Sequence, residues 1–179
     1  MSVVLAKEPY SDPVKTEKIN GIIYNMGAGT SKHAEAVSNM LATLIFFFSG
    51  KHCKPYTSEL DIYLDEENNY RPDISVICDF TKMLEDGYHG APILVVEVLS
   101  PSTSSHDRID KFYNYEKYGV MEYLLINPEY MTIEQYVLID ERLKLQAIFY
   151  NYGGTQFSSY AFEGLVFNLG TVFEYRRES

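Results

Sequence analysis

The stretch ILVVEVL at residues 93–99 decides the fold, because it is apolar at every position except Glu97. An apolar run of this length predicts a β-strand that is covered on both faces, as in a sheet with helices on either side. An ionised carboxylate inside such a strand is costly unless it is paired or binds a metal. Glu97 is therefore the first candidate for a functional residue.

The residues after this strand predict a helical crossover to a parallel neighbour. A loop rich in Ser, Thr and Pro spans 100–105, and the helical pattern at 106–118 ends at Gly119, a residue type that favours helix termination. Residues 123–126 then form a second apolar strand. Strands joined by a helical connection of this kind are expected to be parallel and adjacent.

The remaining patterns predict one long helix and several antiparallel strands. Apolar residues at helical spacing indicate a helix at 32–49, and Asn20-Gly21 is typical of a hairpin turn. Alternating or apolar runs predict further strands at 56–64, 74–78, 132–139 and 143–150. We therefore expect an α/β fold of α+β character, with a central mixed β-sheet flanked by helices and extra β-hairpins. A single domain at 19–179 is expected to follow a polar lead-in at 1–18.

Composition and charge limit the class of protein and its partners. The chain has 179 residues, of which 46% are hydrophobic and 22% charged, values that suit one globular domain. Its net charge of −10 opposes tight non-specific binding to DNA, which usually needs a basic surface. Cys53 and Cys78 have no metal-ligand spacing, and we interpret them as unpaired thiols in a reducing compartment. A cytoplasmic protein that does not associate with membranes is expected, because no secretory signal or long apolar span is evident.

Asp73 is the second candidate, because it opens the short strand at 74–78 directly after Pro72. If this strand lies beside the one that bears Glu97, the two carboxylates converge at one end of the sheet. Carboxylate oxygens, with waters and a substrate phosphate, are the usual ligands of Mg²⁺. The alternative is structural: Glu97 accepts hydrogen bonds from a loop or pairs with Lys111 to fix the packing. The spacing alone supports both interpretations equally.

Lys111 lies on the predicted crossover helix, beyond the strand that bears Glu97. Its i, i+4 spacing places it on one stripe with Asp107, Tyr115 and Tyr118, and we expect the core face to consist of Ile109, Phe112 and Tyr113. A lysine on this helix could reach over the carboxylates and stabilise developing negative charge. Residue spacing alone favours the simpler alternative, a pair between Lys111 and Asp107 on a solvated face.

These residues occur in an order that resembles a known family of nucleases. The shared motifs are Pro72-Asp73, Glu97-Val98-Leu99-Ser100-Pro101-Ser102-Thr103, Asp107-Arg108 with Lys111, Tyr115, Gly119-Val120 and Glu122-Tyr123. Together with the stretch from Gly21 to His33, they make residues 19–128 similar to the Uma-two (Uma2) family of putative restriction endonucleases, a branch of the PD-(D/E)xK nuclease superfamily. Leu124 and Asn127 depart from the family pattern, which usually has Trp and Asp at these positions.

The resemblance implies a role for each candidate. Asp73 matches the first motif acid and Glu97 the second, whereas Leu99 stands where the superfamily motif has lysine. Members of the family carry that lysine on the following helix, where Lys111 matches it. The implied site holds Mg²⁺, or alternatively Mn²⁺, through Asp73, Glu97 and the backbone carbonyl of Val98, with Lys111 as the electrostatic partner.

The resulting hypothesis is a Mg²⁺-dependent endonuclease that hydrolyses DNA phosphodiester bonds. The alternative is a catalytically inactive protein of the same fold with a regulatory or binding role, which the net charge of −10 favours. We also expect a homodimer, because two strands of a duplex suit two sites and the 16 Tyr and 10 Phe could supply an interface. Four further polar residues have roles that the sequence leaves open: His33, Glu35, Glu59 and Asp61.

Overall fold

The computed structural model describes residues 15–100 and 104–174, which form fourteen strands and four α-helices. In chain order these are β1 (Thr16–Ile19), β2 (Ile22–Asn25), α1 (Ser31–Phe48), β3 (Lys54–Thr57), β4 (Ile62–Asp65), β5 (Asn68–Tyr70), β6 (Ile74–Ile77), β7 (Met83–Leu84), β8 (Gly87–His89), β9 (Leu94–Val98), α2 (Ser104–Arg108), α3 (Asp110–Tyr118), β10 (Glu122–Asn127), β11 (Thr132–Ile139), β12 (Arg142–Tyr150), β13 (Gln156–Ser158), β14 (Val166–Asn168) and α4 (Leu169–Val172). β1 begins inside the segment predicted as a lead-in, and residues 1–14 lie outside the described part.

The strands form two six-stranded sheets and one small hairpin sheet. The central sheet has the order β12-β11-β10-β9-β6-β3, and the second sheet has the order β2-β1-β5-β4-β8-β7. In the central sheet β9 and β10 are parallel and adjacent, whereas the other pairs are antiparallel. The expected α/β fold with a mixed sheet and extra hairpins is therefore confirmed, including the crossover from β9 to β10.

Helices cover both faces of the central sheet, as the apolar sequence of β9 predicts. On one face, Ala36, Met40 and Leu44 of α1 pack against a core that includes Val96 and Val98. On the other face, Tyr115 of α3 packs with a second core cluster that includes Val95, Tyr123 and Leu125. Thr30 caps α1 by accepting a hydrogen bond from the His33 backbone N–H at 3.2 Å, in accord with the preference for Thr at this position.

The prediction of one strand at 56–64 is wrong, because the chain turns in the middle of this segment. Leu60 N–H donates to the Thr57 carbonyl at 3.1 Å, and this turn separates β3 of the central sheet from β4 of the second sheet. Apolar and polar residues continue to alternate in the sequence across the turn, so the sequence pattern does not reveal that the chain passes from one sheet to the other.

The helix expected at 106–118 is divided, and of the core face expected for it only Phe112 packs against a core cluster. The helical segment separates into α2 and α3 at Ile109, which is 67% exposed, and Tyr113 is also exposed at 60%. Lys111 and Tyr115 face the sheet and are buried. The helix thus directs its charged stripe inward, where a buried lysine requires acidic partners. Of the family-like motif on the preceding loop, Pro101-Ser102-Thr103 lies outside the described residues.

The two cysteines form a disulfide, which corrects their interpretation as unpaired thiols. Cys53 directly precedes β3, Cys78 directly follows β6, and these strands pair with Lys54 opposite Ile77. Strand pairing therefore brings the two sulfur atoms together although 25 residues separate them along the chain.

Among the helices in the described part of the chain, none is long and apolar enough to cross a lipid bilayer.

Candidate active site

Asp73 and Glu97 meet at one end of the central sheet, as predicted for neighbouring strands. β6 and β9 are antiparallel, with Ile74 opposite Val96. The Asp73 backbone N–H donates to Glu97 Oε2 at 3.3 Å, and the Val98 backbone N–H donates to Asp73 Oδ2 at 2.7 Å. Each acid is therefore held by the strand that bears the other, which fixes both side chains with little freedom.

Lys111 completes the group of three predicted residues. Its Nζ lies 3.0 Å from Glu97 Oε1 and 3.3 Å from Asp107 Oδ1, and only 3% of the side chain is exposed. Both pairings proposed from the sequence, with Glu97 and with Asp107, therefore occur together. The pair with Asp107 is buried rather than solvated, because α2 and α3 press this stripe onto the sheet.

Glu17 is a further acid of the site, and sequence reasoning missed it. It lies on β1 of the second sheet, is 6% exposed, and its Oε2 is 2.9 Å from Lys111 Nζ. Its Oε1 accepts a hydrogen bond from the Arg71 backbone N–H at 2.8 Å. Its only signal in the sequence is its place on the strand that leads into the Asn20-Gly21 turn, and the lead-in assignment concealed that signal.

His33 lies beside Asp73, at the start of α1. Its Nε2 is 3.2 Å from Asp73 Oδ2, and this hydrogen bond raises the pKa of the imidazole above its usual value, against the opposite effect of burial. Gly29 permits the close approach of the loop before α1, since a Cβ at this position would lie 2.7 Å from His33 Nδ1. The structure thus places His33, whose role the sequence left open, in contact with Asp73, the first acid of the motif.

The other three open candidates lie outside the cleft that contains the site. Asp61 forms a two-point ion pair with Arg71, with distances of 3.0 Å and 2.7 Å. Glu59 is exposed and pairs with Lys15. Glu35 is half-buried on α1 and is not among the residues that line the cleft.

A cleft of about 710 Å³ opens over these residues, between the β1–β2 hairpin, the start of α1 and the segment that includes α2. Residues from both large sheets and three helices line it, among them Glu17, Tyr24, Gly27, Ala28, Gly29, His33, Arg71, Asp73, Glu97, Val98, Ser100, His106, Asp107 and Lys111. All the site residues predicted from the sequence therefore line one cavity.

Buried acids outnumber the ammonium group of Lys111 in the cleft. The carboxyl groups of Glu17, Glu97 and Asp107 surround Lys111, and Asp73 lies beside Glu97. Two further basic residues of the cleft lining, Lys15 and Arg71, are paired with Glu59 and Asp61. Burial raises the pKa of Glu97 well above its usual value, and the three other acids raise it further against the effect of Lys111. Burial alone would lower the pKa of Lys111, but its acidic neighbours raise it well above its usual value.

The donor chemistry of the cleft suits a divalent cation. Asp73 and Glu97 present carboxylate oxygens, which Mg²⁺ prefers, and the excess negative charge disfavours the cleft without a cation. Within residues 15–100 and 104–174, no group of three or more His, Cys, Asp and Glu side chains is already arranged around a metal position. A site in which two carboxylates bind the cation, and water and a substrate phosphate fill its other coordination positions, agrees with the carboxylate donors and with the lack of a third protein side chain among the described residues.

Replacing Glu97 by Gln tests the electrostatic imbalance directly. The pKa of folded Glu97 lies above its ordinary value of 4.5, so its contribution to stability is full below pH 4.5 and is lost as the pH rises through the raised pKa. In chelator at pH 8, Glu97→Gln should therefore melt at the same temperature as the wild type or higher, because Lys111 keeps Glu17 and Asp107. Any increase in melting temperature of Glu97→Gln over the wild type should disappear when the melts are run at acidic pH.

A different result would identify Glu97 as the indispensable partner of Lys111. A loss on the order of 3 kcal/mol in chelator, the cost of stranding a buried charge, would show this. The interpretation that acidic groups are in excess around Lys111 would then be wrong.

The comparisons with known proteins point to one family. A family model described as "Uma2: Putative restriction endonuclease" matches residues 7–170. Two uncharacterized proteins of Synechocystis sp. are 38% identical over 125 residues and 26% identical over 132 residues. The first match covers 68% of this chain and 65% of the relative, and the second covers 72% and 75%.

A solved structure extends the similarity to the fold. The crystal structure of a putative nuclease of domain family DUF820 from Anabaena variabilis matches with a TM-score of 0.73. The match covers 93% of both chains at 20% sequence identity. At this identity the similarity concerns the fold, which it shares over nearly its whole length.

Proposed function

Since the chain belongs to the Uma2 family of putative restriction endonucleases, we propose that it is a Mg²⁺-dependent endonuclease that hydrolyses phosphodiester bonds in DNA, with Mn²⁺ as an alternative ion. One observation carries the proposal: Asp73, Glu97 and Lys111 meet in one cleft, with Lys111 Nζ 3.0 Å from Glu97 Oε1 and the Asp73 backbone N–H 3.3 Å from Glu97 Oε2. Two acids from adjacent strands and a lysine from the crossover helix match the residues expected of a nuclease of this kind.

Asp73 and Glu97 would hold the ion, with the carbonyl of Val98 as a third ligand. A bound divalent cation supplies Lewis acidity toward the phosphoryl oxygen and makes bound water more acidic. The backbone hydrogen bonds to Asp73 and Glu97 keep the two carboxylates in place before an ion arrives. Such preorganisation reduces the reorganisation needed when charge develops in the transition state.

Lys111 would orient the attacking water and stabilise the negative charge that develops on the phosphate. Its raised pKa favours the protonated form, which suits electrostatic stabilisation better than proton abstraction. The Tyr115 hydroxyl donates a hydrogen bond of 3.2 Å to Glu97 Oε1, the same oxygen that contacts Lys111. This bond restrains the Glu97 carboxylate.

Plasmid nicking tests the proposed function. The purified protein, incubated with supercoiled plasmid and single-stranded DNA, should nick or cut in Mg²⁺ or Mn²⁺ and be inactive in chelator. The same ions should raise the melting temperature, because binding to the folded state adds about 2.7 kcal/mol at a concentration of 100 Kd. Absence of both effects at millimolar ion would contradict the proposal.

Two observations favour a second function, that of a catalytically inactive protein with a regulatory or binding role. The net charge is −10, and two arginines are paired with acids, namely Arg71 of the cleft lining with Asp61 and Arg108 of α2 with Glu134. Both features weaken the attraction of a polyanion. DNA binding without cleavage, or ion binding without either, would favour this second function.

We also propose that the chain forms a twofold homodimer. β12 is an edge strand of nine residues with exposed Leu145, Ile148 and Tyr150, and an exposed apolar edge of this length is suited to pairing with a second copy. Light scattering should give twice the monomer mass at micromolar concentrations. Leu145→Lys should shift the mass toward the monomer, whereas a constant monomer mass for the wild type would refute the proposal.

A further inference from the structure

One carboxylate from the second sheet links two elements of the candidate active site. Glu17 Oε1 accepts from the Arg71 backbone N–H at 2.8 Å, two residues before Asp73. Glu17 Oε2 contacts Lys111 Nζ at 2.9 Å. A single side chain thus ties the segment that enters β6 to the lysine on α3.

We propose that Glu17 is a positioning residue of this site: it holds Lys111 and the segment that leads to Asp73 in register with Glu97. This inference rests on the function proposed above, and it assigns Glu17 no contact with the ion or the substrate. Both of its oxygens are used, one by a backbone N–H and one by the ammonium group, so it acts through Asp73 and Lys111.

The position of Glu17 explains why Lys111 can remain buried when Glu97 binds a cation. Lys111 has three acidic neighbours at 2.9 Å, 3.0 Å and 3.3 Å, from β1, β9 and α2 respectively. An ion that draws on the charge of Glu97 would leave Glu17 and Asp107 to hold the ammonium group. Asp107 lies on α2, whereas Glu17 lies on β1 of the second sheet. Glu17 therefore restrains Lys111 from the side of the cleft formed by the β1–β2 hairpin.

The chain also supplies a matched control for Glu17. Glu116 on α3 accepts a backbone N–H from Leu143 at 2.8 Å and contacts the Arg142 guanidinium at 2.6 Å. It therefore has the same two kinds of partner as Glu17, and it does not line the cleft. A Glu→Gln change at either position removes one charge, and the single amide oxygen can no longer serve both partners.

The experiment compares Glu17→Gln, Glu17→Asp and Glu116→Gln in three measurements on the full chain. The first is steady-state cleavage of plasmid in Mn²⁺, the second is Mn²⁺ binding by calorimetry, and the third is labelling of Lys111 by an amine-specific reagent, read by mass spectrometry. We expect both Glu17 variants to lower kcat about 10- to 100-fold, the range for residues that orient ligands. KM and Mn²⁺ affinity should change by less than about threefold, and Lys111 labelling should become faster. Glu116→Gln should leave all three measurements at the wild-type level.

Two outcomes in the folded variants overturn the inference. Loss of Mn²⁺ binding in folded Glu17→Gln would make Glu17 a ligand, and unchanged kcat with unchanged labelling would make it irrelevant to the site. If Glu17→Gln does not fold, Glu17→Asp provides the same comparison with its charge retained and its reach shortened. If the wild type does not cleave DNA, the proposed function fails, and Lys111 labelling alone still decides whether Glu17 holds the lysine.

Discussion

Asp73→Asn should abolish DNA cleavage while leaving the protein folded. The amide oxygen of Asn can still accept the hydrogen bond from the Val98 backbone N–H, which is 2.7 Å long in the wild type. The variant loses one of two negative charges that would hold the ion, so ion binding and activity should fall together. We expect cleavage to decrease by about 1,000-fold or more, since loss of preorganised charge stabilisation costs about 100- to 1,000-fold by itself.

Asp79→Asn is the matched control for this experiment. Asp79 is an exposed acid just beyond the other end of β6, and it bonds to Thr81. This variant should cleave at the wild-type rate. Equal activity of Asp73→Asn and the wild type would show that Asp73 takes no part in catalysis.

Lys111→Met should destabilise the folded chain more than the substitution of any one of its acidic neighbours. It removes the ammonium group from among Glu17, Glu97 and Asp107, all of which are buried. Breaking a buried ion pair on one side costs about 3–5 kcal/mol, or roughly 10 °C in melting temperature for a chain of this size. The loss should be smaller at acidic pH, because the raised pKa of Glu97 lets it take up a proton there.

The control for Lys111 lies on the same helix. Lys117→Met removes an exposed ammonium group that donates to the hydroxyl of its neighbour Tyr118, and its melting temperature should equal that of the wild type. Thermal melts in chelator at pH 8 and pH 5 compare the two variants. A Lys111→Met protein as stable as the wild type at pH 8 would mean that the acids do not depend on the lysine.

The sequence predicted the central part of the fold because local pattern and topology agree there. The apolar run around Glu97 predicts a strand covered on both faces, and the helical crossover after it predicts β10 as its parallel neighbour, which the structure confirms. The approach of the two acids was predicted on the condition that the strand opened by Asp73 lies beside this one. The pairing of β6 with β9 meets that condition.

Features that depend on long-range register could not be predicted in this way. The disulfide forms because β3 pairs with β6, a register that the spacing of Cys53 and Cys78 does not encode. Glu17 reaches the site from the second sheet, so its burial depends on contacts outside its own segment. Pattern analysis also assigned Lys111 to the exposed face, because its acidic partners lie on three separate elements that only the folded chain brings together.

The central claim is that Asp73 and Glu97 bind a divalent cation beside Lys111. Anomalous diffraction from crystals soaked in Mn²⁺ measures this directly, because it locates the ion independently of any activity. We predict a peak in the cleft at coordination distance, about 2.1 Å for Mg²⁺-type sites, from a carboxylate oxygen of each acid. A cleft without a peak at millimolar Mn²⁺, or an ion bound only elsewhere, would contradict the claim.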